Sequence, residues 1–376
     1  MIKVSDFYDE LLKNDINFFT GVPDSLLKNI CGYISDVTPK ENHIIAANEG
    51  GAVGIGIGYN LATGKIPFIY MQNSGLGNSI NPLLSLADPD VYSIPMILMV
   101  GWRGEPGVVD EPQHLKQGRI NEELLRSMEI PFFELSPKSD YKDVLQKAII
   151  SSKQKSGPVA ILVKKNAFEK YTFKKENEEN ISLSREEAIT LIVKLMDKND
   201  TIVSTTGKAS RELFEHREKV RDKHNKDFLT VGGMGHANQI ALGIALSKPN
   251  NNIYCFDGDG AIIMHTGSVG IIGSQEVKNF KHIVFNNSAH DSVGGQPTIG
   301  SQIDLQKIFL GFKYKKYFQA NNKNDLKKIF IEFQQSNGPS ILEVKICKGA
   351  RADLGRPTIT PKDNKKDFSK RMTKDN

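Results

Sequence analysis

Two apolar stretches of the sequence end in residues that could bind a metal ion. Ile253-Tyr254-Cys255-Phe256 runs directly into Asp257-Gly258-Asp259-Gly260, and Ile283-Val284-Phe285 runs into Asn286-Asn287. Both stretches have the length and the β-branched or aromatic content of strands, and both stop at turn residues. Because ligands of open α/β sheets bind at the carboxyl ends of strands, Asp259 and Asn287 are expected on one rim. A carboxylate and an amide oxygen beside glycine backbone suit a magnesium ion that also holds phosphate oxygens.

Three other interpretations of Asp257-Gly258-Asp259-Gly260 are a calcium-binding loop, a Walker loop and a plain tight turn. A calcium loop beginning at Asp257 would need Asp or Asn followed by Gly where the chain has Ala261 and Ile262. A Walker loop would need Gly-Lys-Ser/Thr, which does not follow. A plain tight turn remains open, since Asp-Gly turns are common. The interval from Asp259 to Asn287 is long enough for a helix and a return strand, which favours a shared ion.

Composition limits the class of protein. The chain has 376 residues, of which 39% are hydrophobic and 25% charged, with a formal net charge of +5. This length predicts two or three globular domains, and no basic cluster alternates with aromatic residues as in nucleic-acid binding. The three cysteines lie far apart and form no CxxC pair, which fits a reducing cytoplasm. No apolar run is long enough to span a membrane. The sequence predicts a soluble cytoplasmic protein without nucleic-acid or membrane partners.

Alternating strand and helix patterns predict two α/β domains, each a doubly wound parallel sheet. The predicted boundaries are residues 1–165 for the first domain, 166–183 for a charged linker, 184–360 for the second domain and 361–376 for a charged, frayed tail. In the first domain a predicted strand delivers Glu49 to a segment with five glycines between 50 and 58. Glycine disfavours helix, so this density indicates either close packing, as at a subunit interface, or a loop. The segment 101–114 is rich in Gly and Pro and is predicted to be a functional loop.

The Asp259 and Asn287 pattern resembles the signature of thiamine-diphosphate-dependent enzymes, in which Gly-Asp-Gly is followed by a double Asn. The resemblance implies that Asp259, Asn287 and the carbonyl of Ala289 hold magnesium against the cofactor diphosphate. It implies further that Glu49 contacts the aminopyrimidine ring and that Met234 supports the bent cofactor. The first domain would bind the pyrimidine and the second the diphosphate, without the middle domain of three-domain decarboxylases. The other residues implied at the cofactor are Thr206, Gly207, Gly233, Gly258, Gly260 and Ala261.

Longer blocks are similar to the phosphonopyruvate decarboxylases of this family. They cover residues 21–27, 101–107, 110–114, 205–208, 210–215, 293–298 and 353–358. The resemblance implies a 2-oxo acid substrate, conversion of 3-phosphonopyruvate to phosphonoacetaldehyde in phosphonate biosynthesis, and a homodimer or larger homo-oligomer. Sulfopyruvate decarboxylases share the cofactor motifs, so sulfopyruvate or another 2-oxo acid stays an alternative. A non-catalytic α/β binding protein is a further alternative, opposed by the joint presence of Glu49, Asp259 and Asn287.

A substrate with a carboxylate and a phosphonate needs cations and acid–base groups around it. The cationic candidates lie in segments predicted to be polar loops: Arg103, His114, Lys116, Arg351 and Arg356. Arg351 and Arg356 could instead be solvated residues, and Lys208 could bind cofactor phosphate or face water. His114 and His290 are candidate acid–base groups, with a structural role as the alternative. Glu49, if desolvated, would hold a proton for the pyrimidine ring nitrogen.

Overall fold

The fold consists of two compact units, each built on one parallel sheet. The computed structural model describes residues 1–174 and 181–374. The units comprise Met1–Lys175 with Val293–Gln296, and Glu176–Ser292 with Pro297–Asn376. The predicted pair of α/β domains without a middle domain is confirmed. Within the described ranges, no helix has both the length and the apolar character needed to cross a membrane.

The first unit has a six-stranded parallel sheet in the order β2-β1-β3-β4-β6-β5. Its strands are β1 Phe19–Gly21, β2 His43–Ile45, β3 Phe68–Gln72, β4 Met96–Gly101, β5 Phe132–Leu135 and β6 Pro158–Val163. Its helices are α1 Val4–Lys13, α2 Lys28–Val37, α3 Glu49–Thr63, α4 Leu76–Pro82, α5 Pro112–Arg119, α6 Asn121–Ser127 and α7 Tyr141–Lys155. Alternate residues of β3 enter two cores on opposite faces, with Phe68 and Tyr70 in one and Ile69 and Met71 in the other. Helices therefore cover both faces of the sheet.

The second unit repeats this plan, in the order β11-β12-β10-β9-β7-β8. Its strands are β7 Thr201–Ser204, β8 Asp227–Leu229, β9 Ile253–Gly258, β10 Phe280–Asn286, β11 Lys316–Ala320 and β12 Ser340–Lys345. Its helices are α8 Arg185–Leu195, α9 Lys208–Lys219, α10 Ala237–Ser247, α11 Asp259–Met264, α12 Thr266–Ser274, α13 Leu305–Gly311, α14 Lys323–Gln335 and α15 Pro361–Lys374. Tyr254 and Phe256 of β9 face one core, while Ile253 and Cys255 face the other.

Part of the predicted linker packs on the first unit. Ala167 and Phe168 are buried in its core, and the Tyr171 hydroxyl donates to Asp36 at 2.7 Å. Ala167, Phe168 and Tyr171 are more apolar than the lysines and glutamates around them, which explains why they pack against the first unit. At the far end of the predicted linker, Leu183 is buried in a core of the second unit. The portion at 175–180 lies outside the described residues.

The prediction of a frayed charged tail is wrong for the described part of that segment, which forms α15. Phe368 and Met372 of this helix are buried in a core of the second unit. The buried Asn364 side chain accepts from the Leu229 amide at 3.1 Å and donates to the Asp227 carbonyl at 2.9 Å. Asn364, Phe368 and Met372 are spaced four residues apart, so they lie on one face of α15, and this face packs against the second unit.

Candidate functional site

The carboxyl ends of β9 and β10 bring Asp259 and Asn287 together. Phe285 pairs with Gly258 across the two strands, which places the residues just beyond them on the same rim. The backbone N–H groups of Asn287, Asp259 and Gly260 lie near the Asp259 carboxylate and act to lower its pKa. Asp259 begins α11, and Asn287 directly follows β10. The structure thus brings Asp259 and Asn287, which the sequence predicted to share an ion, to the same rim of the sheet.

Asp259 is a buried carboxylate held in a tight cradle. Its side chain is 3% exposed, and the Thr298 hydroxyl donates to Oδ2. A Cβ on Gly300 would lie 2.6 Å from that Oδ2, so only glycine allows this approach. Burial raises the pKa of Asp259 to about 6, against the lowering effect of its hydrogen bonds. A cation would favour the ionised form, so the buried carboxylate fits a metal ligand.

The two asparagines have different roles in the structure. Asn286 fixes the strand end, since its Nδ2 donates to the Gly300 carbonyl at 2.9 Å and to Glu343 Oε1 at 2.6 Å. Asn287 Nδ2 donates to Asp291 Oδ2 at 2.6 Å, and Asn287 Oδ1 accepts from the Ala289 N–H at 3.1 Å. Asn287 and Ala289 therefore lie in one turn, where their oxygens could join Asp259 around a hard cation.

Asp291, which accepts from the Asn287 side chain, belongs to a largely buried ion-pair network. Asp291 Oδ2 also accepts from the Gly349 N–H at 2.9 Å and lies 3.5 Å from Arg185 Nη1. Arg185 forms a two-point pair with Glu212, with Nε–Oε2 at 2.8 Å and Nη2–Oε1 at 3.0 Å. Sequence reasoning assigned no role to Arg185, Glu212, Asp291, Thr298 or Gly300. Their partners lie far along the chain, and only the blocks 210–215 and 293–298 contained any signal.

Met234 and His290 flank the Gly258-Asp259-Gly260 turn. A Cβ on Gly260 would lie 3.3 Å from Met234 Cε and 3.2 Å from His290 Cε1, so both side chains touch this glycine. Gly233 has a φ of +65°, which lets the turn before α10 present Met234. Burial lowers the pKa of His290 to about 4. His290 is therefore neutral at pH 7 and can accept or donate a proton.

The turn after β7 contains the predicted cofactor residues Thr206 and Gly207. Gly207 has a φ of +98°, and a Cβ there would lie 2.8 Å from Ser292 Oγ. The turn therefore abuts the segment that follows the metal-site turn. Burial lowers the pKa of the adjacent Lys208, while the nearby Asp291 carboxylate acts in the opposite direction. Ala261 is buried in α11, one residue beyond Gly260.

In the first unit, Glu49 lies in a pocket formed by a glycine and an amide. It begins α3, which Asn48 caps by accepting from the Gly51 N–H at 2.8 Å. The Glu49 side chain is 6% exposed, and Oε2 accepts from Asn78 Nδ2 at 2.8 Å. A Cβ on Gly75 would lie 2.6 Å from Oε1. The glycine-rich segment 50–58 lies within α3, so it is a helix and not a loop, while its predicted packing at a subunit interface stays a prediction.

Arg103 is held by acidic and hydroxyl partners at the carboxyl edge of the first sheet. Its Nε donates to Asp110 Oδ2 at 2.8 Å and its Nη1 donates to Ser25 Oγ at 2.5 Å. Burial opposes ionisation of Asp110, yet the hydrogen bonds from Arg103 hold the pKa of Asp110 well below its usual range. The nearby Asp24 is fully buried, which raises its pKa, and Gln72 Nε2 donates to it at 2.5 Å.

The other predicted substrate residues lie in varied settings. His114 and Lys116 belong to α5, so their assignment to a polar loop is wrong: Pro112 begins a helix there despite the surrounding Gly and Pro residues. Arg351 is surrounded by the carboxylates of Glu186, Glu215 and Asp353. A phosphonate at Arg351 would have to compete with these groups. Arg356 is exposed.

Two stretches of the chain match known domain families. Residues 3–124 match the N-terminal TPP binding domain of the thiamine pyrophosphate enzymes, and residues 205–344 match their C-terminal TPP binding domain. Thiamine pyrophosphate is a synonym of thiamine diphosphate. The first match contains Glu49, and the second contains Met234, Asp259 and Asn287.

Similar proteins extend over nearly the whole chain. Phosphonopyruvate decarboxylase of Streptomyces viridochromogenes is 31% identical over 96% of this chain and 92% of its own length. Phosphonopyruvate decarboxylase of Streptomyces hygroscopicus is 30% identical, with the same coverage of 96% and 92%. Sulfopyruvate decarboxylase of Methanosarcina acetivorans is 26% identical over 96% of each chain. The chain therefore belongs to the thiamine-diphosphate-dependent decarboxylases, in the family that includes phosphonopyruvate decarboxylase.

Proposed function

We propose that this protein converts 3-phosphonopyruvate to phosphonoacetaldehyde and carbon dioxide, with thiamine diphosphate and magnesium. The observation that carries this proposal is the 30–31% identity to two phosphonopyruvate decarboxylases across both units. Sulfopyruvate is the second candidate substrate, because a sulfopyruvate decarboxylase matches the same share of the chain at 26% identity. Family membership argues against the alternative of a non-catalytic binding protein.

The second unit would hold the metal and the diphosphate. Asp259, the Asn287 side chain and the Ala289 carbonyl form an oxygen set of the kind that magnesium prefers. The fit is supported by the burial of the Asp259 carboxylate and by the closeness of Asn287 to it. Thr206, Gly207 and Gly258 would contact the diphosphate, and Met234 would support the cofactor beside Gly260.

Glu49 and His290 are the residues proposed to move protons. Bound thiamine diphosphate would supply the electron sink for loss of carbon dioxide, which is chemistry that protein side chains lack. Glu49, oriented by Asn78, would hold a proton at the pyrimidine ring nitrogen. His290, neutral at pH 7 because of burial, would exchange a proton with the substrate carbon or oxygen near Gly260. His114 remains a second acid–base candidate.

The substrate anions need cationic partners. Lys116 and Arg356 are exposed, and both stay candidates. Arg103 already pairs with Asp110, and Arg351 with three carboxylates, so each would have to exchange partners. We also propose a homo-oligomer, because the exposed side of α3 presents glycines and Leu61.

An assay with omitted components tests the proposal. Purified protein is incubated with phosphonopyruvate, sulfopyruvate or pyruvate, and carbon dioxide release is followed with and without thiamine diphosphate and magnesium. We expect release from phosphonopyruvate only when both cofactors are present. Turnover of sulfopyruvate alone would favour the second candidate. Turnover of phosphonopyruvate after complete removal of thiamine diphosphate would refute the proposed chemistry.

A further inference from the structure

A cysteine, an aspartate and a histidine lie together inside the second unit. Strand β9 contains Cys255 and Asp257, whose side chains share one face of the strand because they are two residues apart. His282 of the adjacent strand β10 pairs directly with Cys255. The Cys255 sulfur, an Asp257 carboxylate oxygen and a ring nitrogen of His282 all lie within 4.8 Å of one another. The pairing of two neighbouring strands therefore gathers three metal-binding groups in the core.

This cluster is shielded from water and contains a buried carboxylate. Cys255, Asp257 and His282 are each 0% exposed. Asn238 Nδ2 donates to Asp257 Oδ2 and the Gly258 N–H donates to Oδ1, both at 3.1 Å, and both donors are neutral. A buried carboxylate is costly unless a cation balances its charge. A protonated His282 could supply that cation, and so could a metal ion.

The surroundings of His282 favour the metal ion. His282 Nδ1 lies 3.1 Å from the Tyr314 hydroxyl, and when Nδ1 carries the proton it donates to that oxygen. Nε2 then presents a lone pair to the cluster. Within the described part of the chain Nε2 has no hydrogen-bond partner, since it lies 3.5 Å from Asp257 Oδ2. Metal-binding histidines commonly donate their other ring N–H in this way, which fixes the tautomer and the ring orientation.

We propose that Cys255, Asp257 and His282 bind a zinc ion that joins β9 to β10 inside the second unit. Thiolate, imidazole and carboxylate are the ligands that zinc takes in proteins. With zinc–ligand bonds of about 2.0–2.3 Å, tetrahedral ligand atoms lie about 3.3–3.6 Å apart. The 3.5 Å between His282 Nε2 and Asp257 Oδ2 already matches this spacing. The remaining pairs need to close by about 1 Å at most, given their present limit of 4.8 Å.

A divalent ion also balances the charge of the cluster. The Cys255 thiolate and the Asp257 carboxylate contribute two negative charges and the neutral His282 contributes none, so the occupied site is neutral in its apolar core. Burial raises the pKa of the Cys255 thiol well above its usual range, so zinc displaces the thiol proton when it binds. The thiolate distinguishes this site from the proposed magnesium site, whose ligands are all oxygens.

Substitution of cobalt for zinc tests the proposal, because cobalt bound to a thiolate gives a charge-transfer absorption band. The protein is produced in minimal medium with cobalt and desalted into excess magnesium, which displaces cobalt from oxygen ligands. We expect about one cobalt per chain together with the thiolate band. Cys255→Ser should lose the band and retain at least about tenfold less cobalt. Cys31→Ser, at a buried thiol of the first unit, is the matched control and should keep both.

A double variant keeps the test decisive if Cys255→Ser does not fold. Cys31→Ser combined with Cys347→Ser leaves Cys255 as the one cysteine of the sequence, so a band retained there belongs to Cys255. Loss of the band in the double variant would overturn the proposal, as would a band that survives Cys255→Ser. Wild-type protein without the band would also overturn it and would favour a protonated His282 paired with Asp257. These measurements do not use turnover, so they are independent of the proposed function.

Discussion

At the scale of single residues, Glu49 and Asp259 have similar burial but different surroundings. Glu49 accepts from the Asn78 amide and lies against Gly75, whereas Asp259 accepts from the Thr298 hydroxyl and lies near backbone N–H groups. At Glu49, Oε2 accepts a hydrogen bond from the Asn78 amide, and this arrangement suits proton exchange. The second surrounds a buried carboxylate with a hydroxyl donor and nearby backbone N–H groups, which favour its ionised form and suit a ligand of a cation.

Glu49→Gln should abolish most activity while cofactor binding persists. The amide retains the shape of the side chain but cannot hold a transferable proton, so kcat should fall about 10²- to 10⁴-fold. The affinity for magnesium and thiamine diphosphate should change little, as measured by isothermal titration calorimetry. Glu41→Gln, at an exposed glutamate before β2, is the matched control. Full turnover by Glu49→Gln would remove Glu49 from the mechanism.

Asp259→Asn should weaken magnesium binding instead. The substitution removes the charge, so the apparent Kd for magnesium should rise at least about tenfold. The metal-free variant should be at least as stable as wild type, because burial disfavours the Asp259 carboxylate at neutral pH. Thermal melts in chelator, with Asp304→Asn as a control in the same unit, check this expectation. Wild-type magnesium affinity in Asp259→Asn would contradict the proposed ligand set.

Residue types and spacing predicted that Asp259 and Asn287 lie on one rim of the sheet, and the strand register places them there. The role of Glu49 was implied by the family resemblance, and the roles of all three residues stay predictions. Residue types and spacing did not predict the residues that hold these side chains in place. Arg185 reaches Asp291 from the start of α8, and Gly300 admits Asp259 only because the folded chain returns there. Such contacts depend on the tertiary fold, which local sequence patterns do not encode.

At the scale of elements, the half-buried His43 links β2 to Tyr70 of the first sheet. His43 Nε2 and the Tyr70 hydroxyl are 2.9 Å apart, and burial lowers the pKa of His43 from 6.5 to about 4. The unfolded chain therefore binds a proton near pH 6.5, and the folded chain only near pH 4. Stability from neutral His43 is present above pH 6.5 and is lost as the pH falls towards 4, by roughly 3 kcal/mol.

His43→Gln should flatten this part of the pH profile. At pH 7.5 the variant should lose about 1 kcal/mol of unfolding free energy through its altered hydrogen bond to Tyr70. Between pH 6.5 and 4 its stability should fall less steeply than that of wild type. Urea unfolding at several pH values, followed by circular dichroism, measures both quantities. Parallel pH profiles for the two proteins would assign the acid sensitivity to other groups.

Helix α15 should stabilise the second unit despite its charged sequence. Removing residues 361–376 exposes the cores that Phe368 and Met372 cover, which should cost about 3–6 kcal/mol. Phe368→Ala should reproduce a large part of this loss, while Lys366→Ala, on the exposed side, should have little effect. Differential scanning calorimetry checks the order of the three variants. Equal melting temperatures would mean that α15 does not stabilise the unit.

The helices that sequence reasoning missed share a physical cause. Among residues 361–373 of α15, the buried ones are Asn364, Phe368 and Met372, so the apolar signal is too sparse to predict a helix. In α5 the neighbouring Gly and Pro residues indicate a loop, and burial is confined largely to Gly118. Several strands were predicted more readily, since β4 and β6 are continuous buried apolar runs and β10 contains the buried run Ile283-Val284-Phe285.

At the scale of the whole molecule, the proposed oligomer can be tested on α3. Gly50 and Gly56 pack against the chain itself, whereas Cβ atoms on Gly54 and Gly58 would meet nothing within 4 Å. Leu61 on this helix is 70% exposed. Leu61→Glu should therefore reduce the mass found by light scattering coupled to size exclusion, whereas Lys13→Glu on α1 should not. An unchanged mass in Leu61→Glu would place the interface elsewhere.

The measurement that tests the central claim most directly compares two substrates on the intact wild-type protein. With thiamine diphosphate and magnesium present, ³¹P NMR and carbon dioxide release are followed for phosphonopyruvate, and carbon dioxide release for sulfopyruvate. We predict equimolar phosphonoacetaldehyde and carbon dioxide, and a higher kcat/KM for phosphonopyruvate. A folded protein that binds both cofactors yet leaves phosphonopyruvate unchanged would contradict the account.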